Sequence, residues 1–204
     1  AHIPGLTVVV PSTPEDAGGL MISALENNGP VLYLEHKLLS EMWLEFMGSG
    51  GRRNVQYDIP AEGAKSSVPN KWKSLPIGKA IQRRQGSDVS VLSVGVGVHR
   101  GLEVAKSLEE EGVSVAVLDL RCVSPLDKEA IYDSVAQTGR LLVIDEDYEQ
   151  FGLSGEISAV IQEEGITCKF RRVCTQSTIP YARQLEDKIL PNKERISMAI
   201  KQLL

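Results

Sequence analysis

The sequence predicts an α/β fold built on a mostly parallel sheet, and two patterns in its second half indicate it. From residue 76 onward, short apolar runs typical of buried strands alternate with longer segments whose apolar residues recur at helical spacing. The strands are expected at about 89–94, 113–118, 141–145 and 168–174, and the helices at about 99–111, 127–137, 153–164 and 192–203. Because strands that alternate with helices usually join as parallel neighbours, helices should cover both faces of the sheet.

The first 36 residues predict one further β–α–β unit. Residues 7–10 ("TVVV") and 30–36 ("PVLYLEH") are its two apolar strands. The helix between them is capped by Thr13, with Pro14 at its first position and acidic residues in its first turn. One such unit buries too little apolar area to fold alone, so we expect it to be the end of a larger domain.

Residues 38–75, between these two parts, mix glycine, proline and charge without a lasting period. A stretch of this kind and length is unusual inside one domain and common between two. We therefore divide the chain into the remnant of a larger domain at 1–37, a linker at 38–75 and an α/β domain at 76–204. The aromatic residues expected to anchor the linker by burial are Trp43, Phe46 and Trp72.

Composition narrows the function classes. The 204 residues carry a net charge of −5, with acids and bases interspersed and no basic stripe, which argues against nucleic-acid binding. No apolar run approaches the ~20 residues that span a bilayer, so no membrane insertion is expected. The cysteines at 122, 168 and 174 form no CxxC pair and do not cluster with histidine, which favours buried thiols over zinc or redox chemistry. We expect a reducing compartment, either the cytoplasm or, in a eukaryote, the mitochondrial matrix.

The stretch "SVLSVGVGVHRGLEVA" comes close to a dinucleotide-binding fingerprint. Such a site uses G-x-G-x-x-G after a strand, with an acidic residue ~20 positions further on. Here Gly95, Gly97 and Gly101 are spaced G-x-G-x-x-x-G, and Asp119 follows. One extra residue rotates a helical position by about 100°, so Gly101 is expected to leave the face that packs on the strand. Asp119 also has a competing structural role beside Arg121, so we favour a plain strand-to-helix turn and keep nucleotide binding as an alternative.

Several motifs occur in the order found in one enzyme family. "VLDLRCVSPLDKEAI" resembles the strand–"LR"–"PLD"–helix signature of the C-terminal domain of transketolase-like enzymes, and "AHIPGLTVVVPSTPEDAGGL" resembles the last part of their pyrimidine-binding domain. The further motifs are "LPIGKA", "GVGVHRGLEVAKSL", "TGRLLVIDED", "FGLSGEI", "IPYARQLEDKILPN" and "RISMAI". Together they resemble the beta subunit of the thiamine-diphosphate-dependent first component of 2-oxo acid dehydrogenases, a group that includes the pyruvate, branched-chain and acetoin enzymes. The resemblance leaves out about 40–72 and implies a transketolase C-terminal-type domain after the last β–α–β unit of a pyrimidine-binding-type domain.

The resemblance implies an enzyme that oxidatively decarboxylates a 2-oxo acid and transfers the acyl group to lipoyl. In that family a glutamate contacts the aminopyrimidine and a histidine in an "HSQ"-like stretch handles the acyl intermediate, and both precede the part that this chain matches. An alpha subunit supplies the diphosphate–Mg²⁺ site, in a heterotetramer with a second beta subunit. No residue of this chain is therefore assigned a catalytic or cofactor-binding role, and His2, His36 and His99 are not assigned the role of the family's histidine. His36 is expected to be a structural residue at the end of a strand.

Docking to a lipoyl acyltransferase core is less well supported by the resemblance. In the family an acidic residue near position 167 often helps this docking, whereas this chain has "GITCKF" there, with Glu163 and Glu164 nearby. The linker also differs from the common "LYR…VP" form. The core therefore stays a candidate partner, while the alpha subunit and a second beta subunit are expected ones.

The end of the first helix is the candidate metal site. Its last carbonyl oxygens have no donor within the helix and lie at the negative end of the helix dipole, which favours a cation. Backbone oxygens suit a hard cation better than zinc, and in the resembling beta subunits this helix end binds structural potassium. The resemblance puts the ligands at Ala24, Leu25, Asn27 and Gly29, with Asn27 standing where the family has an acidic ligand. The alternative is a plain helix end capped by Asn and Gly.

Two other functions are left open beside the dehydrogenase. In one, the chain is a non-catalytic assembly or binding module, and in the other it belongs to a different enzyme of the transketolase superfamily. "LDLR" followed by "PLD", together with "IPYARQLED", favours the dehydrogenase over such an enzyme. The upstream gene sequence discriminates best, because a glutamate and an "HSQ"-like motif there support the dehydrogenase.

Overall fold

A computed structural model describes residues 1–36, Leu39 and 68–204, apart from the side chains of Arg183 and Gln184. It confirms the α/β fold. The strands are β1 (Thr7–Val9), β2 (Val31–Tyr33), β3 (Ile81–Arg84), β4 (Val89–Ser93), β5 (Val115–Asp119), β6 (Cys122–Ser124), β7 (Arg140–Tyr148) and β8 (Lys169–Thr175). The helices are α1 (Pro14–Glu26), α2 (Val96–Glu109), α3 (Lys128–Thr138), α4 (Leu153–Glu163), α5 (Arg183–Ile189) and α6 (Lys193–Lys201).

The N-terminal unit forms a three-stranded sheet in the order β2–β1–β6. β1 and β2 are parallel, as a β–α–β unit requires, and the Thr13 hydroxyl accepts the Asp16 N–H at 3.2 Å at the start of α1. β6 pairs antiparallel with β1, so the second half of the chain supplies the third strand. The sequence did not predict this shared strand, because three residues are too few to show a period. The domain boundaries at 1–37, 38–75 and 76–204 remain predictions.

The second sheet has five strands in the order β3–β5–β4–β7–β8. β3 runs antiparallel to β5, and the other neighbours are parallel. The four strands expected from apolar runs are β4, β5, β7 and β8, each within a few residues of its predicted bounds. β3 was missed because its sequence, "IQRR", is mostly polar and only half-buried at this edge of the sheet.

Helices cover both faces of the five-stranded sheet, as predicted. On one face, α2 and α6 pack on alternate strand residues through a core centred on Val91, Val117 and Ile144. On the other face, α3 and α4 pack around Leu118 and Val143. Successive strand side chains point to opposite faces, so the continuous apolar runs supply both cores at once.

The glycine stretch corrects one expectation. α2 begins at Val96, three residues before its predicted start, after Gly95 adopts a positive φ of 54°. Gly97 and Gly101 are then four residues apart in one helix and share the face on the sheet. A Cβ on Gly101 would lie 3.2 Å from Val91 Cγ1, so the expectation that Gly101 leaves this face was wrong.

Trp72 packs against the N-terminal unit, as an anchor of the linker should. Its ring occupies the space that a Cβ on Gly18 of α1 would need. Trp72 still keeps 39% of its surface exposed, so the anchoring is partial. The other two expected anchors, Trp43 and Phe46, lie outside the described residues. Among the helices that are described, none has the length and hydropathy to cross a membrane.

Candidate functional site

The strand order places a crevice at one edge of the five-stranded sheet. The chain leaves β4 through α2 to reach β5 on one side, and then passes through α3 to β7 on the other side of β4. Open α/β sheets usually bind ligands at the carboxyl ends of the strands where the order reverses in this way. A cleft of about 900 Å³ lies there, between Val94, Asp145 and Phe151 on one side and Val10 and Leu34 of the N-terminal unit on the other.

The N-terminal unit fills the part of this crevice nearest the glycine loop. A Cβ on Gly95 would lie 3.6 Å from Val10 Cγ1 and 3.9 Å from His36 Cβ. A pyrophosphate would need close approach to this backbone at the start of α2, and these side chains stand there instead. The packing supports the interpretation of the glycines as turn and contact residues.

His36 lines the cleft and bridges the two sheets. Its Nε2 lies 2.6 Å from Oε2 of Glu146 at the carboxyl-terminal part of β7, and Arg100 of α2 donates through Nη1 to Oε1 of the same carboxylate at 2.7 Å. These two partners lower the pKa of Glu146 against the opposing effect of its burial. The expectation that His36 is structural agrees with this contact, because Nε2 is already engaged.

A largely buried cluster of two carboxylates and two guanidinium groups joins the N-terminal unit to the five-stranded sheet. Asp119 accepts hydrogen bonds at Oδ2 from Arg83 Nε at 3.0 Å and Nη2 at 2.8 Å, and at Oδ1 from the Ser12 hydroxyl and the Arg121 N–H, both at 3.1 Å. Asp16 pairs with the same Arg83 and lies 3.3 Å from Arg121 Nη1. Ser12 and Asp16 belong to the N-terminal unit, so this cluster attaches that unit to the sheet. Asp119 was expected to have a structural role beside Arg121, and its hydrogen bond from the Arg121 N–H agrees with that role.

Burial dominates the electrostatics of this junction. It raises the pKa of Asp119 to about 6, although the charge of Arg83 opposes the shift. It lowers the pKa of His99, whose Nε2 lies 2.5 Å from the Ser12 carbonyl oxygen. A neutral His99 donates its Nε2–H to that carbonyl, so this histidine also holds the N-terminal unit in place.

The raised pKa of Asp119 predicts a pH dependence of stability. The unfolded chain releases this proton near the ordinary value of 3.8, whereas the folded chain keeps it until about 6. The contribution of Asp119 to the free energy of unfolding is therefore greatest below the lower value and falls as the pH rises from about 4 to about 6, by at most about 1.4 kcal/mol per pH unit. Urea unfolding of the wild type and Asp119→Asn at pH 4, 5, 6 and 7 measures this. If the free energy of unfolding of the wild type, relative to that of Asp119→Asn, increased with pH in this window, the raised pKa of Asp119 would be contradicted.

The four residues of the candidate metal site lie at the end of α1. The helix ends at Glu26, and Asn27 follows with extended backbone angles. The Asn27 Nδ2 donates to the Gly29 carbonyl at 3.1 Å, and Leu25 is exposed. Ala24, Leu25, Asn27 and Gly29 are thus adjacent at one helix end, and none of them is among the described residues that line the cleft. In the described part of the chain, no three His, Cys, Asp or Glu residues group as metal ligands.

The sequence did not single out the partners that complete these contacts. Asp16 was assigned to the first turn of α1, and Glu146 and Arg100 gave no separate signal. Arg83 lies on β3, which was missed altogether. The one available signal was the "LDLR" alternation, where a charged residue ends a buried strand and requires a buried partner.

The cysteines are free thiols, as expected. Cys122 and Cys174 are buried and Cys168 is half-buried. Burial raises the pKa of all three thiols, which disfavours the reactive thiolate. This environment supports the prediction of structural cysteines.

Comparison with known proteins places the chain in a family. Residues 78–196 match the family described as "Transketolase, C-terminal domain". The acetoin:2,6-dichlorophenolindophenol oxidoreductase subunit beta of Cupriavidus necator is 35% identical over 100% of this chain and 55% of its own length. The 2-oxoisovalerate dehydrogenase subunit beta of Bacillus subtilis is 34% identical over 100% of this chain and 57% of its own length. The pyruvate dehydrogenase E1 component subunit beta of Staphylococcus epidermidis is 37% identical over 96% of this chain and 55% of its own length.

The chain thus spans about half the length of these curated relatives. A solved structure described as a split gene transketolase, inactive beta4 tetramer, matches with a TM-score of 0.76 at 22% identity, over 100% of this chain and 59% of that one. This likeness supports the fold, and the family match covers more than half of the sequence. The chain belongs to the transketolase C-terminal domain family.

Proposed function

We propose that this chain is the C-terminal part of the beta subunit of a thiamine-diphosphate-dependent 2-oxo acid dehydrogenase. The observation that carries the proposal is the set of relatives, which act on different substrates and are all named as beta subunits. Each aligns with nearly the whole chain at 34–37% identity. The shared designation as beta subunits supports a subunit role for the chain. The reaction that we propose for the complete enzyme is oxidative decarboxylation of a 2-oxo acid with acyl transfer to lipoyl.

The part of that role that residues 1–204 perform is assembly. Ion pairs and hydrogen bonds at the junction already engage the Nε2 atoms of His36 and His99, with Glu146 and the Ser12 carbonyl. The residues that contact thiamine diphosphate are assigned to parts of the enzyme outside this chain, and Mg²⁺ to an alpha subunit. The expected complex is a heterotetramer with a second beta subunit, in the cytoplasm or the mitochondrial matrix, with a lipoyl acyltransferase core as a further candidate partner.

Potassium at the end of α1 belongs to the same proposal. The donor set consists of carbonyl oxygens, which fit a hard cation. The Gly29 carbonyl accepts one hydrogen bond from Asn27 Nδ2 at 3.1 Å and keeps its second lone pair for an ion. Ala24, Leu25, Asn27 and Gly29 would supply the carbonyls in the intact protein. Crystals of the complete protein soaked in thallium test the site. We expect an anomalous peak within coordination distance of the Ala24 and Asn27 carbonyls, and its absence would reject the site.

The proposed activity is tested with the complete protein co-expressed with its alpha subunit. We expect reduction of 2,6-dichlorophenolindophenol that depends on thiamine diphosphate, Mg²⁺ and one of pyruvate, 2-oxoisovalerate or acetoin. A complex that forms but reduces no dye with any of these would favour the non-catalytic assembly module. Transfer of a two-carbon unit between sugar phosphates would instead favour another transketolase-type enzyme.

A further inference from the structure

We propose that the turn at Arg121 is a hinge on which the N-terminal unit, together with β6, moves relative to the five-stranded sheet. The chain crosses from one sheet to the other at this turn, since β5 ends at Asp119 and β6 begins at Cys122. Such a movement does not depend on the reaction proposed above, because only residues of this chain take part in it.

The two parts of the fold have separate apolar cores. Val9, Leu20 and Cys122 form the core of the N-terminal unit. Among the residues that the structure describes, none from 1–36 belongs to either core of the five-stranded sheet. Units of one chain are expected to move relative to each other unless a large hydrophobic interface joins them. Because Cys122 packs in the N-terminal core, β6 moves with that unit.

The junction between the two parts consists of polar contacts. Ser12 and Asp16 of the N-terminal unit receive them from four side chains of the other part, namely Arg83, His99, Asp119 and Arg121. Hydrogen bonds within a protein replace bonds with water, so each contributes little net free energy. The junction can therefore open in water without exposing either apolar core of the five-stranded sheet.

Arg121 adopts a strained conformation at the crossing point. Its φ is 55°, in the left-handed region that a residue with a side chain rarely adopts. The Cys122 N–H reaches the Leu120 carbonyl across it at 2.5 Å. A three-residue turn with a positive φ at its central residue is the rare and strained form of the γ-turn. Such strain persists where surrounding contacts hold it, and it occurs at switch points of proteins.

The contacts that hold this conformation come from both sides of the hinge. On the N-terminal side, the Val10 N–H donates to the Arg121 carbonyl at 2.7 Å, and Asp16 Oδ1 lies 3.3 Å from Nη1. On the other side, Asp119 Oδ1 accepts the Arg121 N–H at 3.1 Å, and the Lys79 carbonyl accepts from Nε at 3.0 Å. When the N-terminal unit moves away, these contacts can no longer be made together, and the φ of Arg121 is free to relax. The strain thus favours the open position, whereas the polar contacts favour the closed one.

A second residue with positive φ lies where the chain makes an earlier crossing. Ile77 packs against the core of the N-terminal unit, and Ala80 packs against a core of the five-stranded sheet. Gly78, between them, has a φ of 75°. The bond from Arg121 Nε to the Lys79 carbonyl places the two crossings side by side. Hinges consist of a few such residues at the ends of elements, which absorb the change in φ and ψ.

Thiol labelling of the complete protein tests the hinge. Ser12, which is 2% exposed in the junction, is replaced by cysteine as the probe, and its reaction with N-ethylmaleimide is followed by peptide mass spectrometry. Cys174, completely buried in β8, is the internal control, because the reagent reaches it only when the five-stranded sheet opens. We expect the probe to react at least about tenfold faster than Cys174, as a local opening does. Equal rates would overturn the hinge.

Two substitutions at the hinge separate the strain from the loss of the guanidinium group. Arg121→Ala and Arg121→Gly remove the same ion pair and differ only in the Cβ, which makes a positive φ unfavourable. We expect the probe to react about three- to tenfold faster in Arg121→Ala than in Arg121→Gly, with similar rates at Cys174. Equal probe rates in the two variants, or the same ratio at Cys174, would overturn the hinge. If neither variant folds, the comparison of the probe with Cys174 in the chain that keeps Arg121 still decides.

Discussion

Replacing Asp119 with alanine is expected to lower the free energy of unfolding by about 3–5 kcal/mol, the usual cost of removing one partner from a buried ion-pair cluster. Asp119 is completely buried and receives both Nε and Nη2 of Arg83. Without it, the Ser12 hydroxyl and the Arg121 N–H also lose their acceptor, and Arg83 keeps only Asp16. Urea unfolding followed by circular dichroism measures the change.

The matched control for this experiment is Asp133→Ala. Asp133 is an exposed aspartate of α3, so its substitution should change the free energy of unfolding by less than about 0.5 kcal/mol. Equal effects of the two substitutions would show that the buried cluster does not hold the N-terminal unit on the sheet.

Substituting Gly97 with alanine is expected to destabilise the fold by about 1–3 kcal/mol, as an overpacked core does. A Cβ at this position would overlap Ser93 Oγ and come within 3.2 Å of Ile144 Cγ2. The Ser93 hydroxyl donates to the Ile144 carbonyl at 2.8 Å, so relief by rotation of Ser93 would break that bond. The effect should appear as a lower urea midpoint with an unchanged denaturant slope.

Gly155→Ala serves as the comparison, because the same chemical change meets nothing within 4 Å there. Gly155 lies in α4, where alanine should stabilise the helix by up to about 1 kcal/mol. If Gly97→Ala lowers the free energy of unfolding and Gly155→Ala raises it, the glycine stretch has a packing role. Stabilisation by Gly97→Ala would instead mean that α2 does not approach the sheet closely.

The regular part of the fold could be predicted because its strands and helices are long enough to show their periods. The apolar runs at β4, β5 and β7 are buried on both faces, so their sequences stand out. β3 and β6 could not be found this way. The first is a polar edge strand and the second has three residues, and both form because neighbouring strands offer them hydrogen bonds.

The candidate site was less predictable, since its contacts join residues far apart in sequence. His36 and Glu146 are separated by 110 positions, and Ser12 and Asp119 by 107. A single sequence gives the charge at the end of a strand but not the partner that neutralises it. The position of Gly101 was wrongly predicted for a related reason, since the start of α2 depends on Gly95, whose positive φ is a property of the folded loop.

The claim that the groups that bind thiamine diphosphate lie outside residues 1–204 is tested most directly by calorimetry. Thiamine diphosphate with Mg²⁺ is titrated into the 204-residue chain, once cooperative urea unfolding has shown that the chain is folded, and in parallel into the complete enzyme with its partner subunit. We expect binding heat from the complete enzyme and none from the chain alone, because the groups that carry the cofactor lie outside it. Micromolar binding of thiamine diphosphate by the 204-residue chain would contradict this account.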